Sequence, residues 1–325
     1  GDHRDLHLSL RRQRQMCIRD RYKMFLGGRG LGLYYLYKEG IVEPDVDPFS
    51  PKNMYQIMIG PVNGTAPNAR STIVTKSPWG FHCVSTCGGQ NSLQLRYAGW
   101  DGIQVVGKAK DPVYIAINND KIEIRDASDL WGKPVEEAEL ELRKKVLADL
   151  EYKPAPGFLT EADMTPQWVS IRPPDPDRGI GAKRLAGVWL IGPAGENKVW
   201  FATTMTEGCR AHGRYGDGPI AGSKNLKGVV VRGTKGHKLA DKATFLKTVA
   251  EIRSNEHVPS FWRRYGTAGL GALESNIVAG FPIRNWQYET YQDPRAVMAY
   301  TGGFMDVSSF VKKQACPGSV SYTPL

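Results

Sequence analysis

The sequence predicts an α+β protein: a strand-rich first domain over residues 22–238, followed by the beginning of a helical domain over 239–318. Three observations carry this reading. Short runs rich in β-branched and aromatic residues, bounded by Gly, Pro and Asn, recur from Tyr55 to Val231. Before residue 236 helical spacing is confined to a few segments, clearest where Val135, Ala138, Leu142, Val146 and Leu150 fall three or four apart. After Lys238 that spacing takes over, with Asp241 as a cap and Phe245, Val249 and Ile252 on one face.

Taken in order, residues 24–40 read as a glycine-rich turn feeding a short helix, because Gly27, Gly28, Gly30 and Gly32 permit close backbone approach. Pro44, Pro48 and Pro51 mark an irregular connection. Strands are predicted at Tyr55–Ile59, Ser71–Thr75, Ile103–Val106, Val113–Ile117 and Lys121–Arg125, the last two joined through Asn118-Asn119-Asp120. The helix over Val135–Leu150 carries Lys144 and Lys145 toward its C-terminal half, where the helix dipole favours cations. Residues 153–187 are proline-rich and irregular. Strands resume at Val188–Ile191, Val199–Thr203 and Gly228–Val231, and further helical stretches are expected near 268–279 and 306–314. No repeat of fixed period is visible.

Composition excludes several classes. In 325 residues, 41% hydrophobic and 23% charged, there is enough apolar matter for a folded core, so a disordered chain is disfavoured. No apolar run is long enough to span a bilayer. Five cysteines are too few for a disulfide framework, which points to a reducing cytoplasm. Of the formal net charge of +10, residues 1–21 supply +3 through six Arg and three Asp. That stretch has no apolar segment of a secretory signal and no regular period, and we expect both it and residues 319–325 to be foreign to the folded protein. The remaining +7 suits an anionic cofactor or partner. A basic nucleic-acid-binding module is the alternative from another class. It is weakened because the basic residues form no arm interleaved with aromatics.

Three clusters carry candidate chemistry. Gly60–Arg70 lies between two predicted strands, and Arg70 could grip a phosphate with two parallel hydrogen bonds or stand as a solvated arginine in an ordinary turn. Thr86-Cys-Gly-Gly-Gln90 places Gly88 and Gly89 before a predicted helix, which suits an anion or simply a tight turn. His82, Cys83 and Cys87 resemble half a metal site, but no second cysteine pair completes it, and buried small side chains are the simpler reading. Gly208–Lys227 holds Arg210 and Arg214, five glycines and Ser223-Lys-Asn225, the composition richest in anion-binding residues. It lacks the Gly-Lys-Ser/Thr of a Walker loop, and Gly27–Gly32 lacks the strand and later acid of a dinucleotide fold. His212, alone in this loop, reads as a hydrogen-bonding residue with catalysis as the alternative.

In this order the clusters resemble the N-terminal half of the tungsten-containing aldehyde:ferredoxin oxidoreductase family. The matching stretches include Phe25-Leu-Gly-Gly-Arg-Gly-Leu31, Asp47-Pro-Phe-Ser-Pro51, Leu95-Arg-Tyr-Ala-Gly-Trp-Asp101, Ile191-Gly-Pro-Ala-Gly-Glu-Asn197 and Gly222-Ser-Lys-Asn-Leu-Lys227, with Arg284-Asn-Trp286 later. The resemblance spans roughly residues 24–317 and rests on the order of the motifs rather than any one of them.

The resemblance implies a first domain of two mixed sheets cradling tungsten, or molybdenum in its place, on two pterin dithiolenes. It also implies a magnesium ion bridging the pterin phosphates, a four-iron cluster, ferredoxin as electron acceptor and an aldehyde oxidised to a carboxylic acid. A homo-oligomer or a separate electron-transfer subunit is a further implied partner. Carried over, the cofactor contacts are Arg70, Gly88, Gly89, Arg210, Ala211, Gly213 and Arg214, with Thr86 and Ala211 offering backbone carbonyls to magnesium. Thr86, His212 and Asp217 stand where the family carries other residues. Cys316 matches the first cysteine of the cluster motif, yet Ser319 stands where the second belongs, so the chain alone is expected to be inactive. An aryl-CoA reductase subunit is the alternative that keeps the fold.

Overall fold

The computed structural model describes residues 23–65, 69–148, 186–207, 210–236, 239–254, 265, 276–291, 293–304, 313–315 and 322–324. Its packing divides the described chain into two compact units, the first ending at residue 236 and the second beginning at 239.

The first unit is built from two sheets. β1 (Tyr55–Ile59), β2 (Ser71–Lys76), β3 (His82–Cys87) and β4 (Gly102–Val105) form one, in the order β3-β2-β1-β4. The second runs β6-β5-β10-β7-β8-β9, with β5 (Val113–Asn118), β6 (Lys121–Asp126), β7 (Gly187–Leu190), β8 (Met205–Thr206), β9 (Arg210–Ala211) and β10 (Leu226–Arg232). The α+β class holds, with one correction to the expected pair of mixed sheets. Every pairing in the first sheet is antiparallel, and only the second is mixed, through the parallel β5–β10 pair.

The period-2 alternation of the strands explains the layering. Tyr55, Ile57 and Ile59 of β1 meet Ile115 and Ile117 of β5, Trp189 of β7 and Val229 and Val231 of β10 in one core. Helix α2 (Asn91–Ala98) adds Leu95 and Ala98 to it. The intervening residues face outward from this core. Met58 and Val74 pack on Leu31 and Leu36 of α1 (Gly28–Lys38), while Tyr114, Ala116 and Val230 pack on Ala138 and Leu142 of α3 (Val135–Ala148). Burying each such aliphatic side chain contributes about 1.5–3 kcal/mol.

Several strand assignments differ from expectation, the short β8 and β9 among them. Residues 199–204 form turns, not a strand: Ala202 N donates to Val199 O, and Trp200 and Phe201 stay exposed. Trp200 instead meets Trp79 edge-on at 5.9 Å, beside Phe81 and Tyr215. Conversely, β3 was not expected; its exposed His82 and Thr86 alternate with buried Cys83, Ser85 and Cys87.

In the second unit Asp241 Oδ1 accepts from Ala243 N and Thr244 N, capping α6 (Lys242–Ser254). Two short helices, α4 (Pro193–Glu196) and α5 (Gly218–Ser223), precede it in the first unit, and α7 (Pro294–Met298) follows. The stretch expected to be helical near 306–314 ends in a strand, Lys313–Ala315, paired with Tyr322–Pro324. Residues 1–21 and most of 153–187 and 268–279 lie outside the described residues.

Candidate functional site

The register of β2 against β3 sets Ser71 opposite Cys87 and Thr72 opposite Thr86, so exposed Arg70 and buried Gly88 emerge together at one end of the sheet. The Thr72 and Thr86 hydroxyls are 3.2 Å apart. The turn before Arg70 is held from two sides. Asn63 Nδ2 donates to Arg70 O (2.6 Å) while its Oδ1 accepts from Gly60 N (3.0 Å). From α2, Arg96 Nη2 donates to Gly60 O (2.7 Å) and Tyr97 OH to Gly64 O (3.2 Å). A side chain at Gly64 would stand 2.7 Å from Arg96 Cγ. The Leu95–Asp101 stretch is thus a brace for the turn.

Beyond Gly88 the backbone bends through Gly89, whose φ of +124° suits only glycine. Gln90 N donates to Glu207 Oε1 across 117 residues of sequence. Glu207 is buried, and burial pushes its carboxyl up against the pull of the Gln90 N–H and of Arg143 and Arg210. Arg210 Nε lies 3.4 Å from Glu207 Oε2.

The loop carrying Arg210 returns through the short β8–β9 pair, Met205 opposite Ala211 and Thr206 opposite Arg210. His212 N donates to Thr204 O (2.9 Å). The imidazole is fully buried, with Nδ1 2.8 Å from Ser85 O and Nε2 3.4 Å from Ser71 Oγ. Burial pulls its pKa down to about 4, so the ring is neutral near pH 7. Gly213 and Arg214 then reach the surface, and a side chain at Gly213 would meet nothing within 4 Å. Arg214 N donates to Ser85 Oγ at 3.3 Å.

Behind the loop, Asp217 is fully buried. Its Oδ1 accepts from Thr204 N (3.3 Å), its Oδ2 has no partner, and burial pushes the carboxyl up to about 8. Thr204 Oγ1 lies 2.7 Å from Tyr55 OH. Burial, with Asp217 nearby, also pushes up the Tyr55 hydroxyl and the Cys83 thiol.

The structure therefore brings Arg70, Thr86, Gly88, Gly89, Arg210 and Ala211 to one end of β2–β3, while the loop continues through Gly213 to Arg214, which sits farther along β3 beside Ser85 and Cys83. The lysines of the Gly222–Lys227 stretch are not among them. Buried Lys224 donates from Nζ to Pro51 O (3.3 Å) and Gly107 O (3.0 Å), and buried Lys227 to Lys133 O (3.0 Å) and Glu196. Their charges serve packing. His82 points outward and Cys83 and Cys87 inward, and among the described residues no group of three or more His, Cys, Asp or Glu could hold a metal ion. Cys316 lies outside the described residues. Sequence reading missed Glu207, Ser71 and Ser85, which join the two halves of the site but carry no local motif.

Comparison with known proteins follows the same clusters. A family model for the aldehyde ferredoxin oxidoreductase N-terminal domain matches residues 6–153 and 177–233, a match that begins within the first 21 residues. The tungsten-containing aldehyde ferredoxin oxidoreductase of Pyrococcus horikoshii is 38% identical over 315 residues, covering 93% of this chain and 45% of that protein. The Pyrococcus furiosus protein of the same name is 39% identical over 83% of this chain and 39% of its own length. An aliphatic sulfonate oxidoreductase, WOR-like subunit, from Pyrococcus furiosus is 37% identical over 84% and 40%. Among solved structures, the active site complex BamBC of benzoyl coenzyme A reductase with 1,5-dienoyl-CoA superposes with a TM-score of 0.65 at 26% identity, covering 92% of this chain and 42% of that one. The chain thus spans less than half the length of these relatives.

Proposed function

Since the chain belongs to the aldehyde ferredoxin oxidoreductase family through its N-terminal domain, we propose that it forms the charged cradle of a tungsten bis-pterin oxidoreductase that oxidises aldehydes to carboxylic acids and passes electrons to ferredoxin in a reducing cytoplasm. Tungsten-containing relatives support the metal, with molybdenum as the alternative. One observation carries the reading: the Arg70–Gly88 end of β2–β3 and the Arg210–Arg214 loop converge, joined through buried His212 and Glu207.

The residues fit such a group. Three guanidinium groups and the open backbone at Gly213 match a multiply anionic phosphate ester. No described carboxylate, imidazole or thiolate cluster competes for the metal, which suits a metal held by the pterins' own sulfurs. When bound, the tungsten centre supplies the two-electron chemistry by which aldehyde and water become carboxylic acid.

The chain's part is binding and orientation. Arg70, Arg210 and Arg214 neutralise the phosphates, with Glu207 holding Arg210 in place. Gly88, Gly89 and Gly213 would let backbone approach the ligand, and the backbone carbonyls of Thr86 and Ala211 would hold a magnesium ion. Cys316 would supply one thiolate to a four-iron cluster. Neutral His212 adds no charge to this balance. The described residues contain no helix long and apolar enough to cross a membrane.

A second reading, an aryl-CoA reductase on the same cradle, is favoured by the benzoyl coenzyme A reductase likeness. The test is tungsten and pterin content of protein made with tungstate supplied. Arg70→Ala with Arg210→Ala should lose most of both, and retention at wild-type level refutes the cradle. Aldehyde-dependent against benzoyl-CoA-dependent dye reduction by the full-length enzyme separates the two reactions.

A further inference from the structure

We propose that His212 is a positioning residue that locks the Arg210–Arg214 loop onto the β2–β3 pair, so that the two halves of the site face one ligand. The facing of a ligand rests on the function proposed above; the lock itself rests on hydrogen bonding alone.

The chemistry fixes one arrangement. Ser85 O, 2.8 Å from Nδ1, can only accept, so Nδ1 carries the proton and Nε2 is a bare acceptor. Ser71 Oγ, 3.4 Å away, must then donate its single proton to Nε2. The serine oxygen keeps its lone pairs for Trp189 Nε1–H (3.1 Å) and Asn91 Nδ2 (3.4 Å). Each donor has an acceptor and no second tautomer satisfies all of them. His212, Ser71, Trp189 and Asn91 are all buried, so a broken link is not replaced by water at no cost.

Position makes the network a lock. Ser71 follows Arg70 on β2, and Ser85 precedes Thr86 on β3. A loop bonded to one strand could pivot about that bond, whereas bonds to two adjacent strands fix it in both directions. Between them sits a residue flanked by Ala211 and Gly213, so the joint lies within the loop it positions. Without the imidazole the loop keeps the His212 N–Thr204 O and Arg214 N–Ser85 Oγ bonds, the Cys83 Sγ–Arg214 O contact, the Glu207 contacts and the two-residue β8–β9 pair, but it loses the bond from His212 to Ser71 of β2.

Nitrogen-15 NMR of the imidazole and amide hydrogen exchange on cofactor-free protein test this. Wild-type His212 should show the Nδ1–H tautomer. His212→Ala should speed exchange in residues 83–90 and 204–214 by roughly tenfold or more, with β5 and β10 unchanged. His212→Asn, whose amide nitrogen can stand in for Nδ1–H, should recover most of the protection. An Nε2–H tautomer, unchanged exchange in His212→Ala, or an equal rise in β5 and β10 overturns the proposal. If His212→Ala does not fold, the wild-type tautomer and His212→Asn decide it. Protein that shows the lock but carries no tungsten or pterin after growth on tungstate overturns the ligand clause alone.

Discussion

Replacing Asp217 by asparagine should stabilise the folded chain near neutral pH, and the size of the gain should depend on pH. The carboxyl is fully buried, its Oδ1 accepts from Thr204 N, the Thr204 side chain and the backbone of 217–218 also favour its charged form, its Oδ2 is unpartnered, and among the described residues no cation is a cause of its shift. Its pKa rises from 3.8 to about 8, chiefly through burial. Between those values the folded state binds more protons than the unfolded state, so stability falls as pH rises through the window. Each pH unit costs about 1.4 kcal/mol at most, which amounts to about 2–4 kcal/mol by pH 7 once local relaxation is allowed for. Tyr55 and Cys83, the other titratable groups around it, are pushed upward and stay protonated throughout. Asparagine keeps an oxygen for Thr204 N and cannot ionise. Urea unfolding of both proteins from pH 4 to 8 should give curves that meet near pH 4 and separate steadily above it. Parallel curves would refute the neutral, buried carboxyl.

Two further substitutions probe the scaffold. Gly89→Ala meets both a φ of +124° and Glu207 Oε1 at 2.9 Å, and should cost about 1–3 kcal/mol in urea unfolding while displacing Glu207 from Gln90 N. An unchanged midpoint would mean that the Gly88–Gln90 bend is not fixed as described. Lys227→Met strands the buried Glu196 carboxylate and should cost about 3–5 kcal/mol, whereas Lys227→Met with Glu196→Gln should recover much of it. No recovery in the double variant would show that the pair is not what the buried lysine serves.

Sequence pattern made the architecture legible wherever burial was regular. β1, β5 and β10 alternate between two cores, and their β-branched residues mark them without ambiguity. Pattern failed where polarity and burial part company. β3 buries Cys83, Ser85 and Cys87, a set with little hydrophobic signal, so the cysteines read as buried small side chains but the strand that carries them does not stand out. The Val199–Thr203 run has the composition of a strand, but its Trp200 packs against Trp79 at the surface and its Phe201 stays exposed. Lys224 and Lys227 look like anion ligands by composition, yet long side chains carry their ammonium groups to buried carbonyls.

The site was partly legible for a related reason. Arginines and glycines in loops advertise anion binding one cluster at a time. What joins those clusters is a set of long-range hydrogen bonds, His212 to Ser85 across 127 residues and Glu207 to Gln90 across 117. No local spacing encodes such a contact, so Glu207 and Ser85 emerge only from the fold.

The most direct test of the cradle is a crystal structure of tungstate-grown protein with an anomalous map at the tungsten edge. The account predicts a single tungsten peak at the Arg70–Gly88 end of β2–β3, with phosphate oxygens within hydrogen-bond distance of Arg70 and of the Arg210–Arg214 loop. Tungsten bound elsewhere, with neither segment touching a phosphate, would contradict it.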